Sequence, residues 1–266
     1  MKIITLTDNV VTRRGLLAEH GLSIYLEVDN KRVLFDTGQS SVFHKNAIEL
    51  GVDISLVDSL VISHGHYDHT GGVSTFLDVN RSSKIYAKRE AFLPKYRGKR
   101  YIGTDPGLII PEDRIVYTSD IFKISDSLFI VSGPALSKNE STRNSEGFHS
   151  EEQSVLITDP FLDEQYLVYQ SEEGLTIVTG CSHLGIINIV QQATALFSMP
   201  VTSIIGGFHT SEMETEELKK IAVFLSGVSP LRVGVCHCTG LDAYCYFKKE
   251  LTCNIFYNYC GKIINI

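Results

Sequence analysis

Short runs of branched and aromatic residues, separated by turn formers, set the rhythm of this chain. Three of them open it, KIITLT, LSIYLEV and KRVLFDTG, with Asp29-Asn30 between the second and the third. Such runs predict strands, and the Asp-Asn pair predicts a hairpin turn. A helix is predicted from about Val42 to Leu50, closed by Gly51. The apolar run SLVIS then predicts a buried strand that delivers His64 at its end.

Residues 83–131 predict more helix and strand, interrupted by a long loop over 94–112 that carries Pro94, Gly98, Gly103, Gly107 and Pro111. From Ser154 three strands follow, SVLIT, QYLVYQ and LTIVTG. Strand and helix then alternate: helix 186–198, strand TSIIGG, helix 212–226, strand RVGV, helix 241–250 and strand NIFYN. Strand hairpins in each half, combined with crossover helices, predict an α/β fold of two packed sheets with helices outside. No short-period repeat, low-complexity stretch or linker divides the chain, so residues 1–266 read as one domain.

Composition narrows the partners more than the fold. The net charge of −7 argues against nucleic acid or a membrane surface as a partner. It leaves a small anionic substrate open, because cations bound in a pocket would dominate the local field. No apolar stretch approaches the roughly 20 residues that span a bilayer. The opening residues reach Asp8 and Asn9 too soon for a signal-peptide core, so a cytoplasmic location is expected. Five of the six cysteines (Cys236, Cys238, Cys245, Cys253, Cys260) fall late in the chain. None forms a CxxC pair, and free thiols are expected.

Chemistry concentrates in SHGHYDHTGG, residues 63–72. His64 and His66 are two apart, so an extended segment leaving the strand presents both imidazoles to one side. Asp68 and His69 follow as the chain turns, and Gly71 and Gly72 relieve crowding where the backbone bends. Three imidazoles and a carboxylate within six residues suit Zn, Fe or Mn. Crowding three histidines without a cation would bring repulsion whenever they protonate. Three further histidines stand just past apolar runs: His183 in TGCSHLG, His209 in GGFHT and His237 in CHCTG.

On these motifs, with LFDTG and the alternating second half, the chain resembles the metallo-β-lactamase superfamily. The resemblance implies a four-layer αββα sandwich of two mixed sheets, and two divalent transition metal ions, Zn first among them. It implies that His64 and His66 serve one metal while Asp68 and His69 serve the other, with His183 and His237 added from later strand ends. Many members place a metal-bridging Asp after a Gly at a second-half strand end. Here Gly180 is followed by Cys181. Cys181 then bridges as a thiolate, or His183 takes over, or the second site is weaker. His149 is a further candidate ligand, and Asp68, His209 and Cys181 are the candidate catalytic residues.

The pattern TDN…EHGLS, which places His20 beside Asp8 and Asn9, resembles one branch of that superfamily. This branch includes the archaeal enzyme that joins a dihydropterin to an aminobenzene ribofuranosyl phosphate, and relatives labelled as metal-dependent hydrolases. His44, on the first predicted helix, is expected to face solvent. The segment KYRGKRYIG gathers Lys95, Arg97, Lys99 and Arg100 with Tyr96 and Tyr101. It reads either as a solvated face or as a lid gripping phosphate, with Arg97, Arg100, Tyr101 and His20 as substrate contacts. Three functions remain: hydrolysis of an ester or phosphoester of a small anionic, phosphorylated substrate; pterin transfer with pyrophosphate release; or a non-catalytic or redox metal-binding role.

Overall fold

The computed structural model describes residues 1–133 and 147–266. Three strands open the chain, β1 (Lys2–Thr7), β2 (Ser23–Val28) and β3 (Lys31–Phe35), followed by helix α1 (Val42–Glu49). Strand β4 (Ser59–Val61) leads into two short helices, α2 (Tyr67–Thr70) and α3 (Val73–Val79), and then β5 (Lys84–Ala87). Five short strands come next: β6 (Lys95–Arg97), β7 (Arg100–Tyr101), β8 (Ile115–Tyr117), β9 (Ile121–Lys123) and β10 (Leu128–Ser132). Then follow β11 (Phe148–Glu152), β12 (Val155–Thr158), β13 (Gln165–Ser171) and β14 (Gly174–Thr179). The last stretch alternates α4 (Ile186–Phe197), β15 (Val201–Gly206), α5 (Thr215–Val228), β16 (Arg232–Val235), α6 (Leu241–Glu250), β17 (Asn254–Tyr257) and β18 (Ile263–Asn265).

Two seven-stranded mixed sheets result, ordered β18-β1-β2-β3-β4-β5-β8 and β17-β16-β15-β14-β13-β10-β9. Each is antiparallel along one part and parallel along the other, the parallel part being joined through helical segments. The period of two along each strand sorts side chains into layers. Along β2, Ile24, Leu26 and Val28 face the second sheet, where Ile130, Leu167, Val178 and Ile205 meet them, while Tyr25 faces the other way. On the outer faces α1 and α3 cover the first sheet, and α4, α5 and α6 cover the second. The four-layer αββα sandwich is therefore the fold.

Asp29 and Asn30 both adopt positive φ, 49° and 58°, the backbone of a two-residue hairpin loop whose twist matches its strands. The loop predicted over 94–112 is in part a β-hairpin. Strands β6 and β7 pair with each other, and β6 also pairs with β11, giving a third sheet ordered β12-β11-β6-β7. Strands β6, β7 and β11 are two to five residues long and charged, so they carry no apolar run to announce them. SVLIT belongs to this small sheet rather than to either large one. No helix among the described residues is long and apolar enough to cross a membrane.

Candidate metal centre

Strand ends from both sheets converge on one edge. β4 delivers Ser63 and His64, β14 delivers Cys181 and His183, β15 delivers His209, and β16 delivers His237 and Cys238. His66 caps α2 and Asp68 lies in its first turn, where the helix dipole favours a carboxylate. The close approach needs glycine. A Cβ on Gly65 would come within 2.0 Å of the Ala91 carbonyl oxygen, and one on Gly71 within 2.3 Å of that of Gln39.

Hydrogen bonds fix which imidazole nitrogens face inward. Asp36, fully buried after β3, accepts the Ser63 amide at 2.7 Å, the Ser63 hydroxyl at 2.6 Å and His69 Nδ1 at 2.6 Å. Because Ser63 gives its proton to Asp36, its oxygen accepts from His64 Nδ1 at 2.9 Å. Asn9 Oδ1 accepts the Gly21 amide and His237 Nδ1, the latter at 2.8 Å. His64, His69 and His237 are thereby held with the Nε2 lone pair turned into the centre.

What those nitrogens meet is a further set of ligand atoms. His64 Nε2 lies 3.0 Å from His66 Nδ1, His69 Nε2 lies 3.1 Å from Cys181 Sγ, and His237 Nε2 lies 3.2 Å from Asp68 Oδ2. His66 Nε2 and both ring nitrogens of His183 are buried without a hydrogen-bond partner. Buried polar atoms are nearly always satisfied, so a group of inward-facing acceptors fits cations. The ligand atoms fall into overlapping triads, each within 4.8 Å: His64, His66, His183; His64, His69, Cys181; Cys181, His237, Cys238; Cys181, His183, His209; and His20, Asp68, His237.

Electrostatics agree with the geometry at His64, His66 and His183 and depart from it at His69, which keeps a second proton that a cation would have to displace. Burial pushes His64, His66 and His183 well below the usual histidine range, so they are neutral, the form that binds metal. Burial opposes ionisation of Asp68, yet His69, then His20 and His237, hold it well below the usual carboxylate range. His69 is raised to about 9: burial works against the charge, and Asp36 and then Asp68 outweigh it. Glu164, pushed up to about 7 by burial, accepts the amides of His183 at 2.6 Å and Leu184 at 2.8 Å, and so sets the turn that carries His183. The His183 ring stacks on Phe161 with centroids 4.2 Å apart.

The centre floors a cavity of about 320 Å³ lined also by Asn9, His20, Tyr67, Arg97, Arg100, Phe148 and Glu212. Arg97 pairs with Glu212 and lies 5.1 Å from the Phe148 ring centroid, while Arg100 donates to the Tyr67 hydroxyl at 3.2 Å. A larger, open depression of about 700 Å³ at the opposite end of β1 contains none of the candidate ligands.

The structure thus brings together His20, His64, His66, Asp68, His69, Cys181, His183, His209 and His237, and sets Arg97 and Arg100 on the rim. Four expectations need correction. Tyr101 turns away from the cavity and donates to the Thr104 carbonyl at 2.5 Å. Lys95 is no part of a basic lid: it is buried between Asp159 at 2.8 Å and Asp163 at 3.0 Å. His149 lies on β11, paired in register with Tyr96 and Thr158, outside every ligand triad. His44 is half-buried on α1 beside Phe43 rather than solvent-facing. Residues missed in the sequence are Asp36, Glu164, Phe148, Glu212 and Cys238. Asp36 and Cys238 stood inside quoted motifs, LFDTG and CHCTG, and the others had no local signal.

The profile of the Metallo-beta-lactamase superfamily matches residues 17–197. This chain belongs to that superfamily. An uncharacterized protein of Methanocaldococcus jannaschii, MJ0448, is 32% identical over 98% of each chain. The 7,8-dihydropterin-6-methyl-4-(beta-D-ribofuranosyl)-aminobenzene-5'-phosphate synthase of the same organism is 28% identical, over 99% of this chain and 96% of its own. The crystal structure of Tm1679, a metal-dependent hydrolase of the beta-lactamase superfamily, is 33% identical with a TM-score of 0.87, covering 100% of this chain and 99% of that one. Membership places the chain in a superfamily that generally binds divalent metals, and its acceptor-lined strand edge holds the candidate ligand clusters.

Proposed function

We propose that this protein is a dinuclear metal-dependent hydrolase acting on an ester or phosphoester bond of a small anionic, phosphate-bearing substrate. The observation that carries the reading is the set of buried acceptors whose tautomers are fixed inward, with His183 unpartnered at both nitrogens. His64, His66 and His183 would hold one divalent cation, and Asp68, His69 and His237 the other, with Cys181 between them. Bound there, zinc or a similar ion supplies Lewis acidity and makes water ionisable near neutral pH. Arg97 and Arg100 grip the anionic end, and Tyr67 and Phe148 line the wall beside them. His209, in the cavity wall with ring centroid 4.2 Å from that of His183, moves the proton to the leaving oxygen.

A second reading is favoured by the full-length similarity to the dihydropterin synthase of M. jannaschii. Here the same centre assists attack of an aryl amine on a dihydropterin methylene carbon, with departure of pyrophosphate. The metal-loaded protein should be offered a dihydropterin diphosphate with and without the amine, beside a panel of phosphomonoesters, phosphodiesters and lactones. Amine-dependent pyrophosphate release establishes transfer, and amine-independent cleavage establishes hydrolysis. Inertness in every assay at full metal loading contradicts both and leaves a metal-binding protein without catalysis. Arg97→Ala with Arg100→Ala should weaken phosphate binding by about 1.5 kcal/mol, with metal content unchanged. Calorimetry showing no change would remove both guanidinium groups from recognition.

A further inference from the structure

We propose that Cys181 and Cys238 are both metal ligands, so that the second metal position presents a two-thiolate face alongside His237. The inference rests on the dinuclear reading and specifies its less ordinary part. The ligand atoms of Cys181, His237 and Cys238 lie within 4.8 Å of one another, and all three residues are buried. Cys181 belongs to three of the five ligand triads, sharing one with His64 and His69, one with His183 and His209, and one with His237 and Cys238. It therefore occupies the middle of the ligand shell, where a carboxylate from the residue after Gly180 would otherwise sit.

Cys238 is placed with equal care. Its Sγ accepts the His209 amide at 3.3 Å, a contact that stabilises a thiolate. The backbone opposite makes room for the sulfur: a Cβ on Gly207 would lie 2.5 Å from Cys238 Sγ, so only glycine fits there. Chain geometry gives this sulfur its position, because Cys238 follows His237, which has a left-handed φ of 51°. The remaining cysteines do not share the arrangement. Cys260 donates to the Leu6 carbonyl at 3.0 Å, and Cys236, Cys245 and Cys253 belong to none of the ligand triads.

Thiolate ligands select zinc and other soft ions over magnesium or manganese. Each thiol releases its proton as the ion binds, leaving Cys–S⁻ bound to the cation and H⁺ in solution. The test uses the whole protein stripped of metal and reloaded with cobalt(II), whose bonds to thiolate give a charge-transfer band in the near ultraviolet. The band is expected in the wild type, weakened in Cys181→Ser and in Cys238→Ser, and lost in the double variant, with circular dichroism confirming the fold. X-ray absorption at the zinc edge of the unmutated protein should show sulfur at about 2.3 Å, which needs no variant. Two equivalents of bound cobalt with no such band, or a band untouched in Cys238→Ser, overturns the proposal and leaves the dinuclear centre standing. Failure to bind any metal overturns both.

Discussion

Lys95 and five histidines of the candidate centre, His64, His66, His69, His183 and His237, are all buried, yet they answer burial in opposite ways. Lys95 has two carboxylate partners, Asp159 and Asp163, and Asp163 also accepts the Gly65 amide at 2.7 Å. That cluster of donors and acceptors is closed. At the metal centre, His66 Nε2 and both nitrogens of His183 are buried with no hydrogen-bond partner, and His237 Nε2 lies 3.2 Å from Asp68 Oδ2. A closed polar cluster holds structure, and an open one of a single polarity holds a ligand. Gly65, between His64 and His66, is where the two meet, so the closed cluster positions the open one.

The largest effects should come from the open cluster. His64→Ala should lose metal and turnover together, while Asp68→Ala should release one of two equivalents; elemental analysis of both variants reads this directly. Two tightly held metals in each would mean that the ligands are assigned wrongly. In the closed cluster, Lys95→Met strands two buried carboxylates and should cost about 3–5 kcal/mol in urea unfolding. A cost below about 1 kcal/mol would show that the pairing contributes little. Asp36→Asn keeps the shape but weakens the hold on His69, and should lower metal affinity about 10–100-fold in chelator competition.

The smallest effect concerns a surface cluster that is also closed. Asp29 accepts the Ser125 hydroxyl at 2.8 Å, and the Ser127 hydroxyl and amide at 2.6 and 2.9 Å. The Ser127 hydroxyl first, then that of Ser125, lowers its pKa. A carboxyl whose folded pKa lies below its unfolded value stabilises above about pH 4, and that contribution fades as pH falls through the folded pKa. Asp29→Asn should therefore be slightly less stable than wild type at neutral pH and level with it in strong acid. A gap in thermal midpoint that does not narrow with acid would contradict this.

Much of the fold was legible because the large-sheet strands β1 to β4 and β13 to β17 announce themselves with apolar runs, and helices α1, α4, α5 and α6 with their own period; β5, β8, β9, β10 and β18 drew no individual expectation. The third sheet was not, since β6 and β7 carry charges between glycines and owe their pairing to β11. The site divided in the same manner. His64, His66, Asp68 and His69 sit in one contiguous motif, where spacing alone suggests ligation. Cys238, Asp36 and Glu164 act through contacts between residues tens or hundreds of positions apart, which no local pattern encodes. Lys95 was misread for that reason: four basic residues within six positions look like one surface, until two distant carboxylates, Asp159 and Asp163, hold the first inward.

The central claim is that this strand edge is a two-metal centre. Its most direct test is the anomalous signal from crystals of the purified protein, measured on either side of the metal absorption edge. Two peaks are predicted, one among His64, His66 and His183, the other among Asp68, His69 and His237, with Cys181 between them. Density without an anomalous peak at either place, in protein shown to be fully loaded, would contradict it.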